Sequence, residues 1–276
     1  MPSSILVTDF ETVPDFSQLP QITGSDEGQD TITGKLERLK RYMKEDKGQD
    51  EKEFFPSLSL HRILVSSFIY ADIVYDGQME VAYKPKNFWS VDSDESAMLH
   101  SMVPWLDKVR PRFVTYNGRS FEIPLLKLRC LRHKVQCGFF LASGDKYDNY
   151  DSRYSSNWHC DMMDVLSGHG AARFLKLREA CALANLPGKL FGSGRDVLKM
   201  WMDGEMQAIK SYCEMDVLET FLLYVTWQHV RGMIPFDGYT QSIVHTIQLL
   251  KSSQNPHIPV FLDEWGRLDQ YVKTLL

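Results

Sequence analysis

The sequence has no apolar run near the roughly 20 residues that a membrane-spanning helix needs. Its opening MPSSILVTDF lacks a basic stretch followed by an apolar core, so neither a span nor a secretory leader is expected. Cysteine is sparse and unpatterned. Cys130, Cys137, Cys160, Cys181 and Cys213 are odd in number and form no C-x-x-C pair, which argues against a zinc ribbon or a dithiol redox motif. Reduced, mostly buried thiols and a cytoplasmic location are expected instead. An excess of positive charge is also missing: the net charge is -5 and the pI about 5.9, unlike a protein that coats nucleic acid by bulk electrostatics. That balance is compatible with an enzyme that gathers carboxylates around cations, whose charge the sequence does not count. No internal repeat is present.

What is present suits one globular domain. The 276 residues are 43% apolar, with 15 Phe, 12 Tyr and 6 Trp, enough for a single α/β core with an insertion. Ile5 to Phe10 form an apolar run expected to be a central strand, ended by Glu11-Thr-Val-Pro14 because proline cannot donate to a ladder. Residues 24–53 are strongly charged and predict an exposed insertion with a helix at Leu36 to Met43. Two strands, His61 to Val74 and Met79 to Tyr83, are expected around the Asp76-Gly77 turn. Asp92 or Ser93 can cap a helix to about Val109, carrying Met98, Met102, Val103, Trp105 and Leu106 near the 3.6 period. Arg112 to Tyr116 predicts a strand, Asn117-Gly118 a break, and Phe121 the opening of another helix. Residues 138–157 read as a loop. Helices are expected at Phe174 to Leu183, Asp196 to Met202 and Met206 to Val225, and in the C-terminal part at Ser242 to Leu250 and Leu262 to Leu275. The domain expected at 1–230 thus carries a helical extension, 231–276.

The candidate chemistry lies in three separated places. Asp9 and Glu11 are two apart, so on a strand they share a face. A divalent cation satisfies two such carboxylates, although solvated strand ends often carry acids with no role. Tyr212 and Asp216 are four apart and share a helix face. Glu122 opens a helix just after Asn117-Gly118, where an acid also favours the helix dipole. No element is specific alone; their combination and order are. Asp161 and Asp164 are assigned to capping, and His159 and His169, lacking ligand spacing, to structural partners. Lys127, Arg129, Arg132, His133 and Lys134 form a basic helix stretch, either a solvated face or a phosphate-binding one.

At DFETVPD (9–15), FPSLSLHR (55–62), YNGRSFEIP (116–124), HCDMMDVLSGHGA, LPGKL and YCEMD, the chain resembles the DEDD 3′-5′ exonucleases of the ribonuclease-H-like fold, in the tyrosine subgroup and close to family-B-polymerase-like predicted exonucleases. The resemblance extends to about Trp227. It implies a mixed β-sheet flanked by helices and two divalent cations, Mg²⁺ or Mn²⁺. Asp9 resembles the acid that bridges both metals, Glu11 and Asp216 resemble ligands of the metal that holds the attacking water, and Tyr212 orients that water. Asn117 and Phe121 match the second motif, but Glu122 stands where the family usually has Asp. Phe10, Asn117, Arg119 and Phe121 are the expected substrate contacts. The implied partners are single-stranded DNA or RNA 3′ ends, DNA favoured, in repair, processing or turnover. The competing expectation is a catalytically weakened or inactive fold that binds nucleic acid or another protein.

Overall fold

The computed structural model of the protein describes residues 2–24, 31–47, 55–188 and 197–276. Five strands, β1 (Ser4–Pro14), β2 (His61–Asp76), β3 (Met79–Val91), β4 (Arg112–Thr115) and β5 (His159–Asp161), form one sheet in the order β3-β2-β1-β4-β5. β1 pairs antiparallel with β2 and parallel with β4. The sheet is therefore mixed, as expected of the ribonuclease-H-like class.

β1 is central and covered on both sides, which explains why Ile5, Leu6 and Val7 are consecutive, apolar and all buried. Its parity sorts the core. Ile5 and Val7 join a cluster with Val217, Leu218 and Phe221 of the long helix α9 (Met206–Val230), whereas Leu6 and Phe10 face Leu99, Val103 and Leu106 and the paired Leu125 and Leu126. These latter residues lie on α3 (Glu95–Val109) and α4 (Glu122–His133). Asp9 and Glu11 share the parity of Ile5 and Val7, so they belong to the face that meets α9.

The remaining helices are α1 (Leu19–Thr23), α2 (Ile32–Lys47), α5 (Phe139–Ala142), α6 (Met162–Leu166), α7 (Leu177–Leu183), α8 (Val197–Met202), α9 (Met206–Val230), α10 (Phe236–Lys251), α11 (His257–Leu268) and α12 (Gln270–Leu275). Along α9, Phe221, Leu222, Tyr224 and Val225 are all fully buried. A helix apolar on every side belongs inside the molecule.

Several expectations need correction. β1 does not stop before Pro14 but runs through it, with a register irregularity between Glu11 and Thr12; as the last residue of the strand, Pro14 needs no onward ladder. β3 continues to Val91, and the α3 cap is Asp94, which accepts from Ala97 N at 3.1 Å, not Asp92 or Ser93. The helix of the charged segment is not merely exposed: Leu39 and Met43 of α2 are buried against Leu19 and Leu60. Segments 25–30 and 48–54 of that insertion, and Asp196, lie outside the described residues. The loop at 138–157 contributes core, because Phe140 stacks on both Phe113 and Phe139, and Tyr150 meets Phe113 edge-on. The C-terminal helices begin earlier than expected. α10 lies on β3, where Ser242 Oγ accepts from the Tyr83 amide at 2.8 Å. A Cβ on Gly238 would stand 1.7 Å from the Val81 carbonyl oxygen, so only glycine admits that approach.

Among the described residues no helix is long and apolar enough to cross a membrane.

Candidate functional site

β4 ends at Thr115 and pairs with β1 only along Ile5 to Val7. Beyond Val7 the parallel neighbour is gone, and Asp9 and Glu11 border the space that it leaves. The turn after β4 then brings α4 back toward them. Asn117 adopts a left-handed conformation at φ 70°, and Gly118 packs so tightly that a Cβ would lie 2.3 Å from Thr115 Oγ1. Asp161, at the end of β5, holds this turn by accepting the amides of Asn117 and Arg119, each at 2.9 Å, while it caps α6 through Met163 N at 3.1 Å. Its expected capping role is thus accompanied by a second one. The turn delivers Glu122 into the interior, where it hydrogen-bonds Asp9.

From the other direction α9 crosses the same face of the sheet. Its Cys213 thiol donates to the Asp9 carbonyl and to Asp9 Oδ2, both at 3.4 Å. Ligand atoms of Asp9, Glu11 and Cys213 lie within 4.8 Å of one another. Tyr212 hydrogen-bonds Asp216 one turn along, and its phenol is held above its ordinary range by burial and by Asp216, Glu11 and Asp9. Asp216 in turn acts on Asp9. All five acid and phenol residues drawn from three distant places in the sequence therefore meet.

The electrostatics show the cost of the meeting. Burial, then the Asp216 charge, raises the Asp9 carboxyl to about 7. Glu122 is pushed well above the usual carboxylate range by burial and then by Asp9, and its Oε2 has no hydrogen-bond partner. Crowded oxygen donors, one of them an orphaned buried oxygen, are a donor set that fits hard divalent cations such as Mg²⁺ or Mn²⁺.

The substrate contacts fare unevenly. Phe121 stands at the edge of the site, partly exposed, with its ring 6.0 Å from that of Phe55. Phe10 is buried in the opposite core and offers no stacking face; its even position on β1 requires this. Arg119 is ion-paired to Asp164 at 3.0 Å, a neutralised rather than a free cation, and Asn117 contributes its amide to the turn. Three residues of the basic α4 stretch are likewise paired with acids. Arg129 is buried between Asp15 at 2.9 Å and Glu95 at 2.5 Å, His133 reaches Glu95 at 2.8 Å, and Lys127 reaches Asp151 at 2.5 Å. His159 stays neutral, lowered to about 3 by burial and by Arg119, and hydrogen-bonds Thr115 Oγ1.

Cys213 was missed as a site residue by composition alone. Helical spacing carries the signal: Ile209, Cys213 and Asp216 recur at intervals of four and three, on one face of α9.

Comparison with known proteins bears on the fold and the family. No curated protein matches the chain. Among solved structures, the family B DNA polymerase from the hyperthermophilic archaeon Pyrobaculum calidifontis matches with a TM-score of 0.50 and 10% identity, over 94% of this chain and 27% of that one. At this identity the likeness is one of fold, and the chain spans about a quarter of that polymerase. A protein-family model described as "Predicted 3′-5′ exonuclease related to the exonuclease domain of PolB" matches residues 52–265. Phe121, Glu122, Tyr212 and Asp216 fall inside the matched residues, and β1 with Asp9 and Glu11 lies before them. With well over half the chain matched, the protein belongs to the family of predicted 3′-5′ exonucleases related to the exonuclease domain of PolB.

Proposed function

We propose that the protein hydrolyses the terminal phosphodiester bond at the 3′ end of single-stranded nucleic acid, DNA in preference to RNA, and releases nucleoside 5′-monophosphates. The convergence of Asp9, Glu11, Glu122, Tyr212 and Asp216 on one buried edge of the sheet carries this reading. Two divalent cations held by the four carboxylates would supply charge for the developing transition state and activate the attacking water. Asp9 is the acid that contacts Glu122, lies beside Glu11 and feels the Asp216 charge, which suits a residue shared between the two cations. Tyr212 remains a phenol at neutral pH, so it serves as a hydrogen-bond partner that orients water rather than as a base.

We read 1–230 as the nuclease domain and 231–276 as its helical extension. The five free cysteines support a reducing, cytoplasmic setting. A catalytically weakened fold is favoured by one feature: Glu122, longer than the usual Asp by a methylene, turns one oxygen to Asp9 and leaves the other unpartnered.

The test uses 5′-labelled DNA and RNA oligonucleotides with Mg²⁺, Mn²⁺ or EDTA. Stepwise shortening from the 3′ end is expected with either metal, none with EDTA, and loss of at least about 100-fold in Asp9→Ala and Asp216→Ala. Cleavage that survives EDTA or both substitutions overturns the proposal.

A further inference from the structure

Two aromatic shelves border the acidic cluster, and neither belongs to the carboxylate machinery. The first is reached through Glu122. Phe121, the residue before it, stands within a group in which the Phe55 and His61 ring centroids are 4.8 Å apart, and His61 and Phe121 meet edge-on at 5.8 Å. His61 is fixed: its Nδ1 pairs with Thr12 Oγ1 at 2.8 Å and its Nε2 with the Pro56 carbonyl at 3.0 Å. Phe55 lies on this rigid base and is itself 57% exposed. A large apolar ring held out into solvent gains little for folding, but is suited to receiving a flat partner.

The second shelf is reached through Tyr212. Trp201, in α8, packs against the small cluster of Val65, Val197, Ile209, Tyr212 and Cys213, and α8 also lies against β1. The guanidinium carbon of Arg62 sits 5.5 Å from the Trp201 ring centroid. Arg62 pairs with Val13 across the sheet, as His61 does with Pro14, so both shelves are anchored just beyond Glu11. No ion pair joins Arg62 to a described residue. It is a cation beside an aromatic plane at the margin of an otherwise acidic site.

Planar rings and a guanidinium with no ion pair to a described residue form the combination that accepts unpaired nucleotides: bases stack on rings regardless of identity, and the cation meets the phosphate. We propose that Phe55 and Trp201 are base-stacking residues of this site, each taking one unpaired base of a strand whose terminal phosphate lies at Asp9, with Arg62 against the strand's backbone. The inference rests on the nuclease reading and adds to it two positioning residues that require the strand to be unpaired for more than its last nucleotide.

The test is equilibrium binding in Ca²⁺ of single-stranded oligodeoxynucleotides carrying 2-aminopurine at successive positions from the 3′ end, with cleavage in Mn²⁺ measured beside it. Phe55→Ala and Trp201→Ala are each expected to weaken binding roughly 5- to 100-fold. Phe55→Tyr and Trp201→Phe should restore most of it, whereas Phe55→Leu and Trp201→Leu, which keep an apolar side chain but no ring, should not. An abasic nucleotide at the stacked position should weaken the wild type to the same extent and the alanine variant no further. Full binding by the leucine variants, or additive losses from the alanine and abasic changes, overturns the stacking assignment while a cleaving wild type preserves the nuclease reading. A wild type that cuts nothing, yet binds through these rings, overturns the nuclease reading and preserves the stacking.

Discussion

At the scale of single residues, the decisive contact is the hydrogen bond between Asp9 and Glu122. Burial and mutual repulsion favour the protonated forms of these two carboxyls, whereas bound cations would favour the ionised ones. An aspartate at position 122 would withdraw its oxygens by about one bond length, in a kind of site where about 1 Å of misplacement can cost 100-fold. Glu122→Asp is therefore expected to raise kcat in Mg²⁺ severalfold and to narrow any advantage of Mn²⁺; a kcat unchanged in both metals shows that the added methylene is accommodated. Tyr212→Phe removes a hydroxyl and no charge. It should lower kcat about 10- to 100-fold with little change in KM, since orienting a water contributes in the transition state rather than to strand binding.

Much of this set was legible from residue type and order. Asp9 and Glu11 two apart, and Tyr212 and Asp216 four apart, are placed correctly by strand and helix periodicity alone. Phe10 could have been placed in the core by the same strand periodicity, since it alternates with the acids. What spacing could not disclose was which charges are already answered. Arg119 and Arg129 read as cations available to phosphate, but Asp164, Asp15 and Glu95 neutralise them, and these pairings span from 34 to 114 positions of sequence. Long-range ion pairs have no local pattern.

At the scale of elements, the site depends on where β4 stops and how sharply α4 returns. The turn at 116–121 is fixed from both sides, by Thr115 packing against Gly118 and by Asp161 bonding the amides on either side of that glycine. Gly118→Ala would drive a methyl into Thr115. Overpacking of this kind costs about 1–3 kcal/mol, and relief by moving the turn would move Glu122. The expected result is a modest drop in denaturation midpoint with a much larger loss of cleavage, whereas proportionate losses indicate a turn that serves only the fold. α10 behaves differently. Ser242→Ala leaves the Tyr83 amide without its acceptor, a loss of about 1–3 kcal/mol, and should change urea stability while leaving KM unaltered, because β3 is the strand farthest from β4 and β5.

The elements also show where the sequence was hard to parse. Helix ends at α3, α4 and α9 fell within a few residues of their signals, because caps and periodicity are local. The 138–157 segment carries no periodicity and reads as a loop, yet its Phe139, Phe140 and Tyr150 share one core cluster with Phe113. A buried aromatic cluster needs no regular spacing to pack.

At the scale of the whole molecule, the acidic site and the structural ion pairs act on stability in opposite directions of pH. Asp9 and Glu122 have folded-state values raised above their unfolded ones. Their contribution is fully present below about pH 4 and is lost as pH climbs through the value of about 7 reached by Asp9. Asp15 and Glu80 have values lowered, although burial opposes this: Ser17 and Arg129 hold Asp15 down, and Arg112 holds Glu80 down. Their contribution is present above the ordinary carboxylate range and is lost on acidification through the lowered values. In EDTA the melting temperature should therefore fall both in acid and between about pH 6 and 8. A cation that displaces the protons of these carboxyls removes only the second decline. Saturating Mn²⁺ at about 100 times its Kd adds roughly 2.7 kcal/mol, with the gain expected to be larger at pH 8 than at pH 5.5, where protons compete for the same oxygens. In Asp9→Asn/Glu122→Gln both the alkaline decline and the Mn²⁺ gain should disappear, while the acid limb, set by Asp15 and Glu80, stays in place. A melting temperature that is flat from pH 6 to 8 in EDTA, or an equal gain from Mn²⁺ at both pH values, would mean that these carboxyls carry no strain for a cation to relieve.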